Sequence, residues 1–393
     1  MNYELICQLE EAAFYRRFLH HYYGTPKDAP TYDNYDLGYG DEYPRANLLF
    51  FSDSHIDLVN PDESLDNVIR TMKFVKEAPI PFDAVIHTGD MITPFGRIEK
   101  EQALALGKRF FDQVKDCPAP VLFSKGNHDL NDWDNLPEEV ITDRDWGELF
   151  LDHAEKTWGI HRQTKGSGDK STWNYYDIEN QKIRIVTLDL QDTDKTVVTE
   201  TGVCKLHGGK SWYISNEQMN WIISSALNFD DKPEKDWGVI FTMHQVMDDP
   251  PFHANATDAL LEVCDALNHQ GTYEYRYDHP EYPFLHMDIA ADFTRYAAEE
   301  KKPHIICWLI GHDHVRKNET RKGIQLIWTL NNSASMCCSD PRVGRILGTC
   351  TQNSFDVVNI DTRHRRIRIF AYGAGTTCYG TPGDRFLPEG LPY

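Results

Sequence analysis

Long apolar runs are missing from these 393 residues. The most apolar stretches, such as Ile305–Ile310, fall far short of the roughly 20 residues that a spanning helix needs. No membrane residence is therefore expected. A secretory leader is not expected either, because the amino terminus, MNYELICQLEEAAFYRR, is acidic early and has no clean apolar run. Basic residues are few beside acidic ones, 40 Lys+Arg against 61 Asp+Glu, which leaves a net charge of −21. That excess repels nucleic-acid phosphates, so no nucleic-acid partner is expected. Nine cysteines are scattered without a Cys-x-x-Cys pair, and Cys337 and Cys338 are adjacent. The odd number and the spacing argue against a disulfide frame or a zinc ribbon; reduced thiols in the cytoplasm are expected.

Core-forming residues are plentiful: 40% of the chain is hydrophobic and 12% aromatic. The length suits one large domain or two smaller ones. Residues 1–45 read as an extension packed on the core, with a helix over Glu4–His21 followed by a Gly-, Pro-, Asp- and Tyr-rich loop. A repeating order then begins. Asn47–Phe51, Asp83–His87 and Pro120–Phe123 are short buried-strand patterns; Pro61–Ala78 and Glu99–Val114 between them have helical spacing. Such alternation predicts right-handed crossovers and an α/β sheet. Further on, Lys182–Asp189, Trp237–Met243, His304–Ile310, Gln325–Leu330, Phe355–Ile360 and Arg366–Tyr372 read as strands, and Ser215–Leu227 as a helix with a capping serine. The main domain is expected over 46–373, with an insertion near 248–282 that holds a short helix at Ala259–Leu267, and a tail over 374–393.

Five polar clusters follow strand patterns: Asp53-Ser54-His55, Gly89-Asp90, Gly126-Asn127-His128-Asp129, His244, and Gly311-His312-Asp313-His314. Open α/β sheets bind ligands along the carboxyl edge of their strands. Carboxylate, amide oxygen and imidazole are donors for hard to borderline divalent metals, and no cysteine is among them. Side chains two apart at a strand end share a side, so Asp53 and His55 can reach one ion, as can His312 and His314. The glycines before Asp90, Asn127 and His312 allow tight turns and a close approach of the backbone. One carboxylate can bridge two ions, and a pair about 3.5–4 Å apart would clamp an in-line phosphoryl displacement.

In this order, the five clusters resemble the calcineurin-like metallophosphoesterases, and they span Asp53 to His314. The resemblance implies an α/β (α+β) fold, a four-layer αββα sandwich of two mixed sheets. It implies a metal-dependent phosphoric ester hydrolase with two metal ions per chain, Mn, Fe or Zn. By the family pattern Asp53, His55 and His314 bind one ion, Asn127, His244 and His312 bind the other, and Asp90 bridges them. His128 sits near the leaving oxygen as proton donor or stabilising cation, and Asn127 and His128 face the substrate. Asp129 is expected to orient the His128 imidazole. The reaction implied is in-line attack of a metal-bridging hydroxide on phosphorus, without a phosphoenzyme.

One branch of the family, the protein phosphatases, continues Gly-Asp into Val-Asp-Arg-Gly; here the text is Gly89-Asp90-Met91-Ile92-Thr93-Pro94. The nuclease branch pairs the core with DNA-binding elements, which the charge disfavours. A small phosphodiester or phosphomonoester, with nucleotides among the candidates, is the expected substrate; a phosphoprotein phosphatase, a nuclease or a silent metal-binding scaffold are the alternatives. Tyr273, Tyr275, Tyr277 and Tyr282 in the insertion either stack on a substrate base or pack the insertion on the core. Lys205–Lys210 has loop composition near enough to reach a phosphate, and Arg363–Arg368 reads as the basic face of an edge strand. The sequence leaves the oligomeric state open.

Overall fold

The structure, a computed structural model, describes residues 45–78, 80–94, 98–246, 256–333, 345–374 and 391–393. The amino-terminal extension, the opening of the insertion and most of the tail lie outside them.

The chain opens with β1 (Ala46–Phe51), α1 (Pro61–Glu77), β2 (Ala84–His87), α2 (Lys100–Val114) and β3 (Val121–Phe123). Each of the three strands is buried along its whole length, as apolar runs in parallel pairing require. Proline at the first position starts α1, and its buried face, which includes Val68, Thr71, Met72 and Val75, has helical spacing. A Glu99–Gln102 capping box starts α2. Two short helices, α3 (Asp143–Trp146) and α4 (Asp152–Trp158), are joined by a π-turn. Next come β4 (His161–Thr164), β5 (Lys170–Ile178), β6 (Ile183–Thr187), α5 (Asn216–Trp221) and β7 (Gly238–Met243). The chain continues through α6 (Ala256–His269), β8 (Thr272–Asp278), β9 (His286–Asp292) and β10 (His304–Ile310). It closes with β11 (Lys317–Arg321), β12 (Ile324–Trp328), β13 (Ser354–Asp361), β14 (Arg366–Gly373) and β15 (Leu391–Pro392).

Two mixed sheets result, six strands in the order β15-β14-β13-β1-β2-β3 and seven in the order β11-β12-β10-β7-β6-β5-β4. One core joins the first sheet, α1, α2 and one face of the second; Ile306 and Leu309 of β10 point into it. Ile305, Trp308 and Ile310 of the same strand point into a second core against α5, α6 and the β8–β9 hairpin. This alternation is what a strand between two apolar layers requires, and it makes the αββα sandwich. Among the described residues no helix is long and apolar enough to cross a membrane.

Three stretches differ from expectation. The acidic segment after Asp132 holds helices but also β4 and the nine-residue β5, whose Ser171–Asn174 stretch is buried. The insertion is more ordered than its turn-rich composition suggests: its helix runs over Ala256–His269, and the polar stretch beyond it is β8, paired in register with β9. Tyr273, Tyr275 and Tyr277 fall on one face of β8 and pack on the second core. The period-2 order Tyr273-Glu274-Tyr275-Arg276-Tyr277 is itself a strand pattern, obscured in the sequence by the turn-rich residues on either side, Gly271 and Asp278–Pro280. Finally, Leu391–Pro392 of the expected tail adds a strand to the first sheet.

Candidate metal centre

Parallel strands β1, β2, β3, β7 and β10 all deliver their carboxyl ends to one edge, and the five clusters follow those ends. The backbone there is unusual. Asp53, His55, Asp90, His312 and His314 all have φ between 46° and 66°, in the left-handed region. Such residues cost roughly 1–3 kcal/mol each and persist where the surroundings over-determine them. Backbone bonds supply that restraint: Asp53 N–H donates to Gly89 O at 2.9 Å and His55 N–H to Asp90 O at 3.0 Å. After β12, Asn332 N–H donates to Ser52 O at 2.7 Å and Ser333 N–H to Asp53 O at 3.0 Å. The expected need for glycine is met at all three positions: Gly89 has φ 103°, a Cβ on Gly126 would collide with Asp90, and one on Gly311 would collide with Ser52 and Asp53.

The side chains converge in two neighbouring groups. In one, the Nε2 atoms of His55 and His314 are 2.9 Å apart, and Asp53 Oδ1 is 3.3 Å from the latter and 3.7 Å from the former. In the other, Asn127 Oδ1 is 2.8 Å from His244 Nε2 and 2.9 Å from His312 Nδ1. Asp90 Oδ2 lies 3.1 Å from His244 Nε2 and 3.8 Å from His55 Nε2, within reach of both groups. His128 Nε2 is 4.0 Å from the same oxygen.

The chemistry of this donor set fits metal ions. His244 Nδ1–H donates to Thr88 O at 2.8 Å, which leaves Nε2 as a lone pair aimed at the oxygens of Asn127 and Asp90. His55 Nδ1 is likewise held by Thr93 Oγ1, turning its Nε2 toward His314. Lone pairs gathered in a buried space need a cation among them. Without metal, protons serve. Burial pulls His244 down, but Asp90 outweighs it and raises the imidazole to about 9. Burial opposes ionisation of Asp53 and Asp90 too, yet the neighbouring histidines hold both carboxyls well below the usual range. His312 is pushed down to about 4 by burial and by His244. Residues Asp53, His55, Asp90, Asn127, His244, His312 and His314 thus lie together, with His128 beside them.

Asp129 has a different task from the one expected. Its carboxylate accepts four backbone N–H groups: Asp90 (2.8 Å), Gly126 (2.7 Å), Met91 (2.8 Å) and Ile92 (3.2 Å). Both oxygens are therefore spent on tying the Asp90 loop to the Gly126 loop, not on the His128 ring. Burial and the Asp90 charge raise it to about 7 against those amide donors.

The ring of His128 instead stacks on Trp133, centroids 4.6 Å apart at 27°, and meets His55 edge-on at 5.2 Å. Trp133 is fixed by its Nε1–H, which donates to Asn127 O at 3.0 Å. Burial lowers His128 to about 4, with Asp90 countering in part. Trp212 stands edge-on to His312 at 5.3 Å, and His207 lies 5.8 Å from Trp133. The Lys205–Lys210 loop therefore borders the site, with Lys205 itself over the Tyr282 ring. Trp133, Trp212, Thr88, Thr93, and Asn332 escaped sequence reasoning. Thr88 and Asn332 left a signal, since both follow strand patterns.

A buried lysine completes the surroundings. Lys125, just before Gly126, meets Asp143 at 2.7 Å and Asp189 at 2.5 Å. It joins the end of β3 in one sheet to the end of β6 in the other.

Two sheets with a His/Asp donor set at their carboxyl edge define a metal-dependent phosphoester hydrolase. The sequence model for calcineurin-like phosphoesterases matches residues 46–316, and the chain belongs to that family. The structure is similar to a dimetal phosphatase from Danio rerio, at 14% identity and a TM-score of 0.48, covering 84% of this chain and 96% of that one. It is also similar to a phosphopantetheinyl hydrolase from Mycobacterium tuberculosis, at 15% identity and a TM-score of 0.31, covering 74% and 89%. An archaeal phosphodiesterase aligns at 9% identity and a TM-score of 0.32, covering 83% and 99%. Among curated proteins none matches.

Proposed function

We propose that this protein hydrolyses a small phosphate ester, a diester or a monoester, at the His/Asp cluster. The observation that carries the reading is Asp90 Oδ2, which lies within 4.0 Å of His55, His128 and His244 at once. In this reading Asp53, His55 and His314 would hold one ion and Asn127, His244 and His312 a second, with Asp90 within reach of both groups. Manganese, iron and zinc all suit imidazole and carboxylate donors. Bound there, such ions supply Lewis-acid charge and make hydroxide available at neutral pH.

The chain's own residues do the rest. Buried Asp53 and Asp90 cancel part of the ionic charge and leave a positive hole that draws phosphate into an acidic protein. The side chain of His128 is 14% exposed, and its Nε2, 4.0 Å from Asp90 Oδ2, would face the leaving oxygen of a substrate held at the cluster. Trp133 keeps that ring in place, and Trp212 walls the His312 side. A small ester is favoured over nucleic acid by the net charge of −21. The cysteines at 117, 204, 264, 307 and 350, buried with free thiols, support a reducing cytoplasm.

Hydrolysis of a chromogenic phosphodiester with added Mn²⁺ tests the reading. Wild type is expected to be active and to hold two ions per chain, while Asp90→Asn loses activity and metal together. His128→Ala is expected to keep its metal and to lose a factor of about 10²–10⁴ in kcat. Inactivity of loaded wild type would leave a silent scaffold.

A further inference from the structure

A second concave site lies at the opposite end of the sheets. Strands β7 and β10 begin there, at Gly238 and His304, and finish beside His244 and His312. The cleft measures about 720 Å³, the size of a small-molecule site. Lys182 enters from the β5–β6 connection, Lys301 and Lys302 from the segment before β10, and Arg363 and Arg365 from the β13–β14 turn. Asp236 and Glu300 are the carboxylates on its wall.

These charges do not cancel. Lys182 is taken up by Glu234 and by Asp236 at 2.9 Å, and Lys301 leans on Asp236 at 3.6 Å. Among the described residues Lys302 and Arg365 meet no carboxylate. Two cations left over in a concave space, in a protein of net charge −21, make a local positive field that the walls focus. A monovalent anion satisfies one of them, whereas a dianion satisfies both. Arginine offers a planar fork that phosphate oxygens match, and lysine adds a point charge.

We propose that this cleft binds a small phosphate dianion, free or as a monoester, between Lys302 and Arg365 and apart from the His/Asp cluster. Nucleic acid is a poor fit, because the chain's net charge of −21 repels an extended array of phosphates.

Equilibrium dialysis of metal-loaded protein against labelled inorganic phosphate tests the proposal. Wild type is expected to bind one phosphate per chain more than Lys302→Glu/Arg365→Glu, with kcat/KM for the chromogenic diester unchanged. The milder Lys302→Ala/Arg365→Ala pair is expected to weaken that phosphate about tenfold at an unchanged Tm. Competition by AMP at lower concentration than phosphate assigns the cleft to a monoester, and its failure to compete assigns it to the free ion. Equal phosphate binding by wild type and both double variants overturns the proposal, as does a loss that appears only where Tm falls.

Discussion

The two ends of β7 and β10 handle charge in opposite ways. At the carboxyl end Asp53, His55 and His244 are fully buried, and five residues of the cluster hold a left-handed backbone. At the amino end Lys301, Arg363 and Arg365 of the cleft lie toward water, with the Lys301 side chain 70% exposed. Water solvates the second set at no structural cost. The first set has lost that solvation, so each charge must be matched by a partner that the fold fixes. Damage from substitution should therefore concentrate at the carboxyl end, in the residues that brace the cluster.

Lys125 gives the strongest contrast. It is 1% exposed between Asp143 and Asp189, and Thr172 Oγ1 donates to Asp189 at 2.5 Å. Removing the cation leaves two carboxylates facing each other across the junction of the sheets. Loss of one partner from a buried set costs roughly 3–5 kcal/mol. The lower end is expected for Lys125→Met, because Lys165 still meets Asp143 at 3.1 Å. Lys108 pairs with Asp112 on the open face of α2, with a side chain 64% exposed. Lys108→Met is expected to cost less than about 1 kcal/mol. Urea unfolding of the two variants measures the difference, and similar losses would erase the contrast between buried and solvated charge.

Trp133 sharpens the comparison from the side of activity. Its indole stacks on His128 and is anchored to Asn127, so it acts on the reaction through position. Small displacements of a reacting group cost up to about 100-fold. Trp133→Ala is expected to lower kcat about tenfold, with KM nearly unchanged, and Trp133→Phe to recover most of the loss. A rise in KM alone, or no recovery by phenylalanine, would remove Trp133 from the His128 side and make it a plain wall.

The strands and the clusters behind them were legible because apolar runs ending in Asp, Asn and His are local patterns. His304–Ile310 was read with its true bounds. The donor atoms are legible in the same way, since Asp-x-His and His-x-His carry their own spacing. What braces them is not. Asp129 gives its oxygens to amides of residues 90 to 92, and Lys125 finds Asp189 from another sheet. Such contacts are tertiary and leave no period in the text. The β8–β9 hairpin is hard to read for another reason: the alternating tyrosines of β8 are embedded in Gly-, His-, Asp- and Pro-rich text that reads as a loop.

A smaller effect concerns protons at the carboxyl end of β2. His87 is fully buried, edge-on to Phe51 at 4.6 Å and to Phe110 at 5.0 Å. The Gly89 N–H donates to its Nδ1 at 3.2 Å, so the ring proton sits on Nε2, toward Ser54 Oγ at 3.0 Å. Both nitrogens are used in the neutral form, and a second proton would face the Gly89 N–H. Burial pushes the imidazole down to about 3, from 6.5, with Asp53 countering in part. Between those values the unfolded chain holds a proton that the folded chain refuses. The stabilisation is therefore full above pH 6.5 and is lost as pH falls toward 3, at up to about 1.4 kcal/mol per pH unit. His87→Gln cannot take up that proton, so its stability should fall less steeply between pH 6.5 and 4 in urea unfolding. Identical slopes would mean that burial at this end exacts no proton cost at His87, and the contrast with the solvated end would then rest on the carboxylates and Lys125 alone.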